Sequence, residues 1–189
     1  MAKREISPAA VARVLNDAGV HYVLAGAHAV NAYSGRPRAT VDVDVLTDSL
    51  AKAEKALRAA FPDLQVHDTP VVLRFMDAEH EAIDVMKAAT SKLFRRVVRL
   101  SSPVTIEGVE VVVPSCECVL AMKFASMIFA GRKPADRFQD AADFMRVLEA
   151  QDPVDDQLLR ELGELVYAGG GEEVMAHVAN ARAGRSLEI

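Results

Sequence analysis

Apolar residues return along this chain with two different periods, about every second residue in short stretches and about every third or fourth in longer ones, the repeats of strands and helices respectively. Ser7-Pro8 starts a first helix, with serine as cap and proline at the opening position, ahead of Ala9-Ala10-Val11-Ala12-Arg13-Val14-Leu15; Gly19 ends it. Tyr22-Val23-Leu24-Ala25 reads as a short buried strand, and the small residues Gly26-Ala27 turn it into a helix over His28–Tyr33. Val41-Asp42-Val43-Asp44-Val45 alternates strictly, which predicts a strand with valines facing a core and two carboxylates on the open face.

Downstream, Asp48 or Ser49 caps a helix over Leu50–Leu57 that stops before Pro62. Val71–Met76 and Glu81–Met86 are strands close enough to form a hairpin. Ser91–Arg99 is a short basic helix, and Val104–Val113 a second hairpin around Glu107-Gly108. Pro114-Ser115 opens a longer helix over Cys116–Ala130, where Val119, Leu120, Phe124, Met127 and Ile128 keep the spacing of a buried face. Gly131-Arg132-Lys133-Pro134 links it to a helix containing Arg137–Phe144. Two more helices, Asp155–Tyr167 and Glu172–Asn180, flank Gly169-Gly170-Gly171, and the end from Ala181 to Ser186 is expected to fray. The pattern predicts an α/β fold with a small mixed sheet: a core over residues 1–114 and a helical region over 115–189 packed on it.

Composition narrows the class. At 189 residues, 51% hydrophobic and 26% charged, the chain has the make-up of a globular protein, and no apolar run nears the roughly 20 residues of a membrane span. Met1–Glu5 is charged with no apolar segment behind it, so no secretory signal is visible and a cytoplasmic location is expected. Cys116 and Cys118, the two cysteines, can form neither a disulfide framework nor a four-ligand zinc site and read as reduced structural thiols. A net charge of −5 gives no overall pull toward nucleic acid. Local basic runs remain, at Lys87, Lys92, Arg95, Arg96 and Arg99 and at Arg132, Lys133 and Arg137, either solvated helix faces or contacts for an RNA or acidic partner.

The chemistry gathers between Gly26 and Asp44. Side chains two apart on a strand point the same way, so Asp42 and Asp44 would lie about 7 Å apart. Hard, hydrated Mg²⁺ is commonly held by one or two carboxylates together with substrate phosphates, and such a pair beside a cleft suits a metal-nucleotide complex. The strand, small-residue turn and helix start at Gly26-Ala27 leave backbone N–H groups able to meet an anion; a packing turn is the alternative.

The run Leu24-Ala25-Gly26-Ala27-His28-Ala29, followed by Arg36-Pro37-Arg38-Ala39-Thr40-Val41-Asp42-Val43-Asp44, resembles the nucleotidyltransferase-like superfamily and, more narrowly, the AbiEii-type minimal nucleotidyltransferases, many of them toxins of toxin–antitoxin pairs. The family pattern is a Gly-Gly or Gly-Ser turn at a helix start, then DxD, then a third acidic residue on a later strand. Ala27 departs from it, keeping the backbone N–H and losing a hydroxyl. The resemblance implies a nucleotidyltransferase fold, an NTP co-substrate and a two-metal Mg²⁺ site of Asp42, Asp44 and Asp84. Asp84, within Ile83-Asp84-Val85, stands at the third acidic position, to take the proton of an attacking hydroxyl or help hold the second metal; a solvent-exposed edge-strand aspartate is the alternative. Gly26, Ala27, Arg38 and Thr40 fall in the matched nucleotide-binding stretch.

A second block of that family, a lysine-bearing helix followed by R-x-x-D-x-x-D, matches Lys123, Arg137, Asp140 and Asp143. Lys123 then serves as a cation for the triphosphate, or else extends its amine to water. Arg137, Asp140 and Asp143 share a helix face, where an ion-paired surface helix is the alternative. The resemblance admits a tRNA 3′ end, a protein hydroxyl or a small molecule such as an aminoglycoside or lincosamide as acceptor, and a cognate antitoxin as partner. Ala27 also motivates a reading as a non-catalytic nucleotidyltransferase-like domain that binds a nucleotide or a partner.

Overall fold

The structure is a computed structural model that describes residues 6–187; the charged stretch Met1–Glu5, with its expected lack of a secretory signal, lies outside the described residues. The chain divides into two compact units, one running to Ala29 and resuming over Arg38–Pro114, the other comprising Val30–Pro37 and the chain from Ser115 onward.

The first unit is built on a five-stranded sheet: β1 (Tyr22–Leu24), β2 (Val43–Thr47), β3 (Gln65–Asp68), β4 (Val72–Asp77) and β5 (His80–Lys87), in spatial order β1-β2-β5-β4-β3. β2 and β5 are parallel and every other neighbouring pair is antiparallel. β4 and β5 form the expected hairpin; β3, whose Gln-Val-His-Asp shows no apolar run, was not legible and forms by pairing along β4. Antiparallel β6 (Ser101–Ile106) and β7 (Val109–Pro114) make a separate two-stranded sheet.

Three helices complete this unit: α1 (Pro8–Asp17), α3 (Leu50–Ala60) and α4 (Lys92–Arg99), while α2 (Gly26–Tyr33) begins in this unit and ends in the other. Ser7 caps α1 by accepting from the Ala10 N–H, as the Ser-Pro signal requires. Val11, Leu15, Tyr22, Val43, Val45, Leu57, Phe75, Ile83 and Val111 bury together as one core.

The open strand face expected over Val41–Val45 is corrected at its start. β2 begins at Val43, Val41 is 53% exposed, and Asp42 occupies a bend ahead of the strand. The ladder explains the boundary: β1 pairs only as far as Val45 and β5 only as far as Val43, so nothing recruits the two preceding residues into the sheet.

In the second unit α5 (Cys116–Ile128), α6 (Pro134–Gln151), α7 (Asp156–Glu164) and α8 (Gly170–Arg182) pack as a helical layer. Ser115 caps α5. α8 opens at Gly170, inside the glycine run, because Gly169 takes φ +93 as its cap and the next two glycines are needed for packing. A Cβ on Gly170 would stand 2.4 Å from the Gly163 carbonyl, and one on Gly171 would stand 2.7 Å from that of Arg160. Cys116 and Cys118 form no disulfide; burial pushes Cys116 up to about 12, which keeps it protonated and inert. Among the described residues no helix is long and apolar enough to cross a membrane.

Candidate active site

The parallel pairing of β2 with β5 sets Asp44 directly opposite Asp84. Register partners on neighbouring strands point to the same face, and the strands are about 4.8 Å apart, so two acids distant in sequence become adjacent. Asp84 is 8% exposed, on a strand with neighbours on both sides, which corrects its alternative reading as an exposed edge residue. On its other flank β4 places Arg74 in register with it, and Arg74 Nε donates to Asp84 Oδ2 at 3.2 Å while Nη1 pairs with Glu81 at 2.7 Å.

Asp84 Oδ1 is buried and, among the described residues, meets no hydrogen-bond donor. Burial raises the pKa of this carboxyl to about 6 against the opposing pull of Arg74, with Glu81 and Asp42 adding to the rise. A carboxylate oxygen buried without a donor is costly, and it has the chemistry of a group awaiting a proton or a cation.

The turn after β1 comes to the same place. Gly26 has φ +56, and a Cβ there would fall 1.7 Å from Asp44 Oδ2. Only glycine fits, both for the backbone and for the approach of the carboxylate. α2 begins at Gly26 itself, two residues earlier than the pattern predicted, so Ala27 and His28 belong to its first turn. Ala27 is buried and His28 is half-buried. Burial holds His28 below the usual imidazole range, opposed by the Asp42 carboxylate. Thr40 donates its hydroxyl to Asp42 Oδ1, and Arg38 lies near enough to His28 to act on its charge.

Asp44 beside Asp84 with its orphaned oxygen, and Asp42 two residues before Asp44, form a donor set of hard carboxylate oxygens that fits a divalent cation such as Mg²⁺. Among the described residues no three His, Cys, Asp or Glu side chains are gathered into a ready-made metal cage.

In the helical unit, Lys123 is buried and bonded to Asp140 Oδ1 at 2.8 Å and to Asp143 Oδ2 at 2.9 Å. The amine does not extend to water. Asp140 is also met by Arg132 at 2.8 Å, and Asp143 by Arg146 at 3.2 Å and Gln139 at 3.0 Å. Arg137, for which an ion pair with Asp140 on a surface helix face is the alternative given above, donates Nε to the Met127 carbonyl at 2.7 Å, tying the start of α6 to the end of α5. The structure thus brings Gly26, Ala27, Arg38, Thr40, Asp42, Asp44 and Asp84 together in the first unit, and Lys123, Asp140 and Asp143 together in the second. Of the basic run on α4, Lys92, Arg95, Arg96 and Arg99 are all exposed. A groove of about 600 Å³ lined by His21, Asp48, Arg95, Arg99 and Glu110 opens at the far end of β1 and β2 from the acids.

The family described as "Nucleotidyl transferase AbiEii toxin, Type IV TA system" matches residues 10–185, nearly the whole chain. The chain belongs to the AbiEii nucleotidyltransferase family. No curated protein sequence matches it. In fold, this AbiEii-family enzyme is similar to an antigenic nucleotidyltransferase-like protein from Paracoccidioides brasiliensis, with a TM-score of 0.62 at 17% identity over 93% of this chain and 87% of that one. It is also similar to the antibiotic-resistance factor ANT(2″)-Ia, with a TM-score of 0.56 at 13% identity in its solution structure, over 93% and 94% of the two chains. In the crystal structure of ANT(2″)-Ia with adenylyl-2″-tobramycin the TM-score is 0.52 at 14% identity, over 92% and 94%.

Two residues of the AbiEii-family site escaped the sequence reading. Arg74 was legible only as a polar position in a strand; the signal lay in the hairpin register that sets it opposite Asp84. His28 was legible only as a helix residue, and no local pattern marks it, since the Asp42 charge that acts on it stands on a separate segment.

Proposed function

We propose that this AbiEii-family protein transfers a nucleoside monophosphate from an NTP to a hydroxyl acceptor in a Mg²⁺-dependent reaction in the cytoplasm. The observation that carries the reading is Asp84: a buried carboxyl with one oxygen lacking a donor, in register with Asp44. Asp42 and Asp44 would hold Mg²⁺, with Asp84 able to join them. The bound cation would offset the negative charge of the triphosphate at the reacting phosphorus.

The acceptor oxygen attacks the α-phosphorus in line, the bond to the β-phosphate oxygen breaks, and pyrophosphate leaves. The hydroxyl proton passes to Asp84, whose pKa near 6 keeps it ionised and basic at neutral pH. The first turn of α2, entered through Gly26 and Ala27, offers backbone N–H groups to the phosphates, and Arg38 and Thr40 border it. Within the helical unit Lys123, with its ammonium fixed by Asp140 and Asp143, and Arg137 are the residues we assign to nucleotide binding. The family description supports a role as the toxin of a type IV toxin–antitoxin pair, with a cognate antitoxin as counterpart.

The test is transfer of label from each α-³²P NTP to total RNA, to total protein and to aminoglycosides, with Mg²⁺ and with EDTA. Label should move to one acceptor class only with Mg²⁺, and Asp44→Asn should reduce transfer at least about 10³-fold, equivalent to roughly 4 kcal/mol of transition-state stabilisation, without unfolding. Full transfer by Asp44→Asn would refute the assignment.

A further inference from the structure

The basic run of α4 has no part in the transfer reaction proposed above. Leu93, Val97 and Val98 of this helix are buried, and its exposed residues, Lys92, Arg95, Arg96 and Arg99, are all cations. Arg95 and Arg99 stand one turn apart on one face, and both line the groove of about 600 Å³ at the far end of β1 and β2. Arg95 Nη1 donates to the Ala89 carbonyl at 2.7 Å, which sets its guanidinium in place. The floor of the groove is the open face of the β6–β7 hairpin: Val109, Val111 and Val113 turn into the core, so Glu110 and Val112 point the other way, and Pro103 lies across from Val112 in register. His21, just before β1, and Asp48, just after β2, complete the lining, with His21 Nδ1 3.6 Å from Asp48 Oδ2. All these residues belong to the first unit. The β1–β2 ladder separates them from the acids: Tyr22 pairs with Thr47 at the groove end and Leu24 with Val45 at the other. Asp48 lies about 13 Å along the chain direction from Asp44, at about 3.3 Å per residue.

We infer that this groove is a second ligand site, apart from the acids, for a nucleoside monophosphate, with the phosphate on Arg95 and Arg99 and the base over Pro103 and Val112. Its volume lies in the range of small-molecule sites, about 300 to 1,000 Å³. The all-cationic face of α4 draws anions toward it, and two guanidinium groups one turn apart present planar sets of donors that match phosphate oxygens. Pro103 and Val112, with Val98 of α4 beside them, give a flat ring an apolar surface to leave water against. Asp48 and Glu110 accept hydrogen bonds only, as ribose hydroxyls and the amino groups of a base require. That mixture selects one nucleotide over a strand: a mononucleotide has a single anionic end and an end rich in donors, whereas successive phosphates of a polynucleotide would meet the two carboxylates. The inference does not depend on the transferase reading, and a ligand here acts on the chain as an effector, not as a reactant.

The experiment is equilibrium dialysis of the full chain against each labelled nucleoside 5′-monophosphate in EDTA, which removes divalent cations from the acids, beside thermal melting. It compares wild type, Arg99→Gln and Asp44→Asn, with unlabelled inorganic phosphate and a single-stranded decanucleotide as competitors. Wild type should bind at least one monophosphate, and Asp44→Asn should bind it equally. Arg99→Gln, a change at an exposed position that keeps the stem, should melt as wild type does and bind at least about 10-fold more weakly, the loss expected for one hydrogen bond to a charged group. Should Arg99→Gln fail to fold, Glu110→Gln on the opposite element takes its place and should weaken binding of the preferred base. Wild type that takes up no monophosphate overturns the inference, as does binding that survives in Arg99→Gln and disappears in Asp44→Asn. Inorganic phosphate competing as well as the nucleotide would leave a simple anion site and overturn it, and a decanucleotide binding more tightly per nucleotide would replace it with a strand-binding surface.

Discussion

Asp84 lies directly across from Asp44 in the parallel register of β2 and β5, and on its other side across from Arg74 of β4. It is the buried member of that row, and its pKa of about 6 stands above the ordinary 3.8. Between about pH 4 and pH 6 the folded chain therefore keeps a proton that the unfolded chain has released. The resulting stability is whole below about pH 4 and is lost as pH rises through about 6, by about 2 to 3 kcal/mol. Asp84→Asn, which cannot ionise, should thus gain that much relative to wild type between pH 4 and pH 7, as read by urea unfolding at the two values. Equal differences at both would show that Asp84 titrates normally.

Arg74 opposes the rise, both through its charge and through its bond to Asp84 Oδ2. Replacing it with methionine keeps the aliphatic stem and removes the charge. The pKa of Asp84 should climb further, and the acid limb of a turnover profile that depends on Asp84 as base should move to higher pH in Arg74→Met. An unmoved limb would assign the profile to another group.

Gly26→Ala combines a backbone and a contact effect. A residue with a Cβ at φ +56 costs about 1 to 2 kcal/mol, and the new methyl collides with Asp44 Oδ2. The carboxylate must swing away, so turnover should fall far more than the melting temperature. A variant with wild-type turnover would show that Asp44 need not sit against the turn.

Lys123 stands between Asp140 and Asp143, 3% and 0% exposed. Lys123→Met should cost about 3 to 5 kcal/mol in denaturant unfolding, because it strands two buried carboxylates with only the half-exposed Arg132 and Arg146 to meet them. A loss under about 1 kcal/mol would mean that the arginines suffice.

The sequence by itself determined which segments are helices and strands wherever a period ran long enough, and marked Gly26-Ala27 as a turn into a helix. Ser7-Pro8 and Ser115 set helix starts through contacts with residues three positions on, and such local chemistry is written in adjacent letters. It also placed Asp42, Asp44 and Asp84 on the table as candidate acids. What it left open depends on partners far along the chain. β2 starts at Val43 and not Val41 because β5 pairs no further than Val43 and β1 no further than Val45. Lys123 is buried because α6 delivers two aspartates to it, and Arg137 turns to a carbonyl of α5. Asp84 acquires its raised pKa, and His28 its lowered one, only once separate segments are brought together and bury them. Period and capping are properties of neighbours in sequence, whereas burial, register and charge pairing are properties of neighbours in space, and those the tertiary structure alone decides.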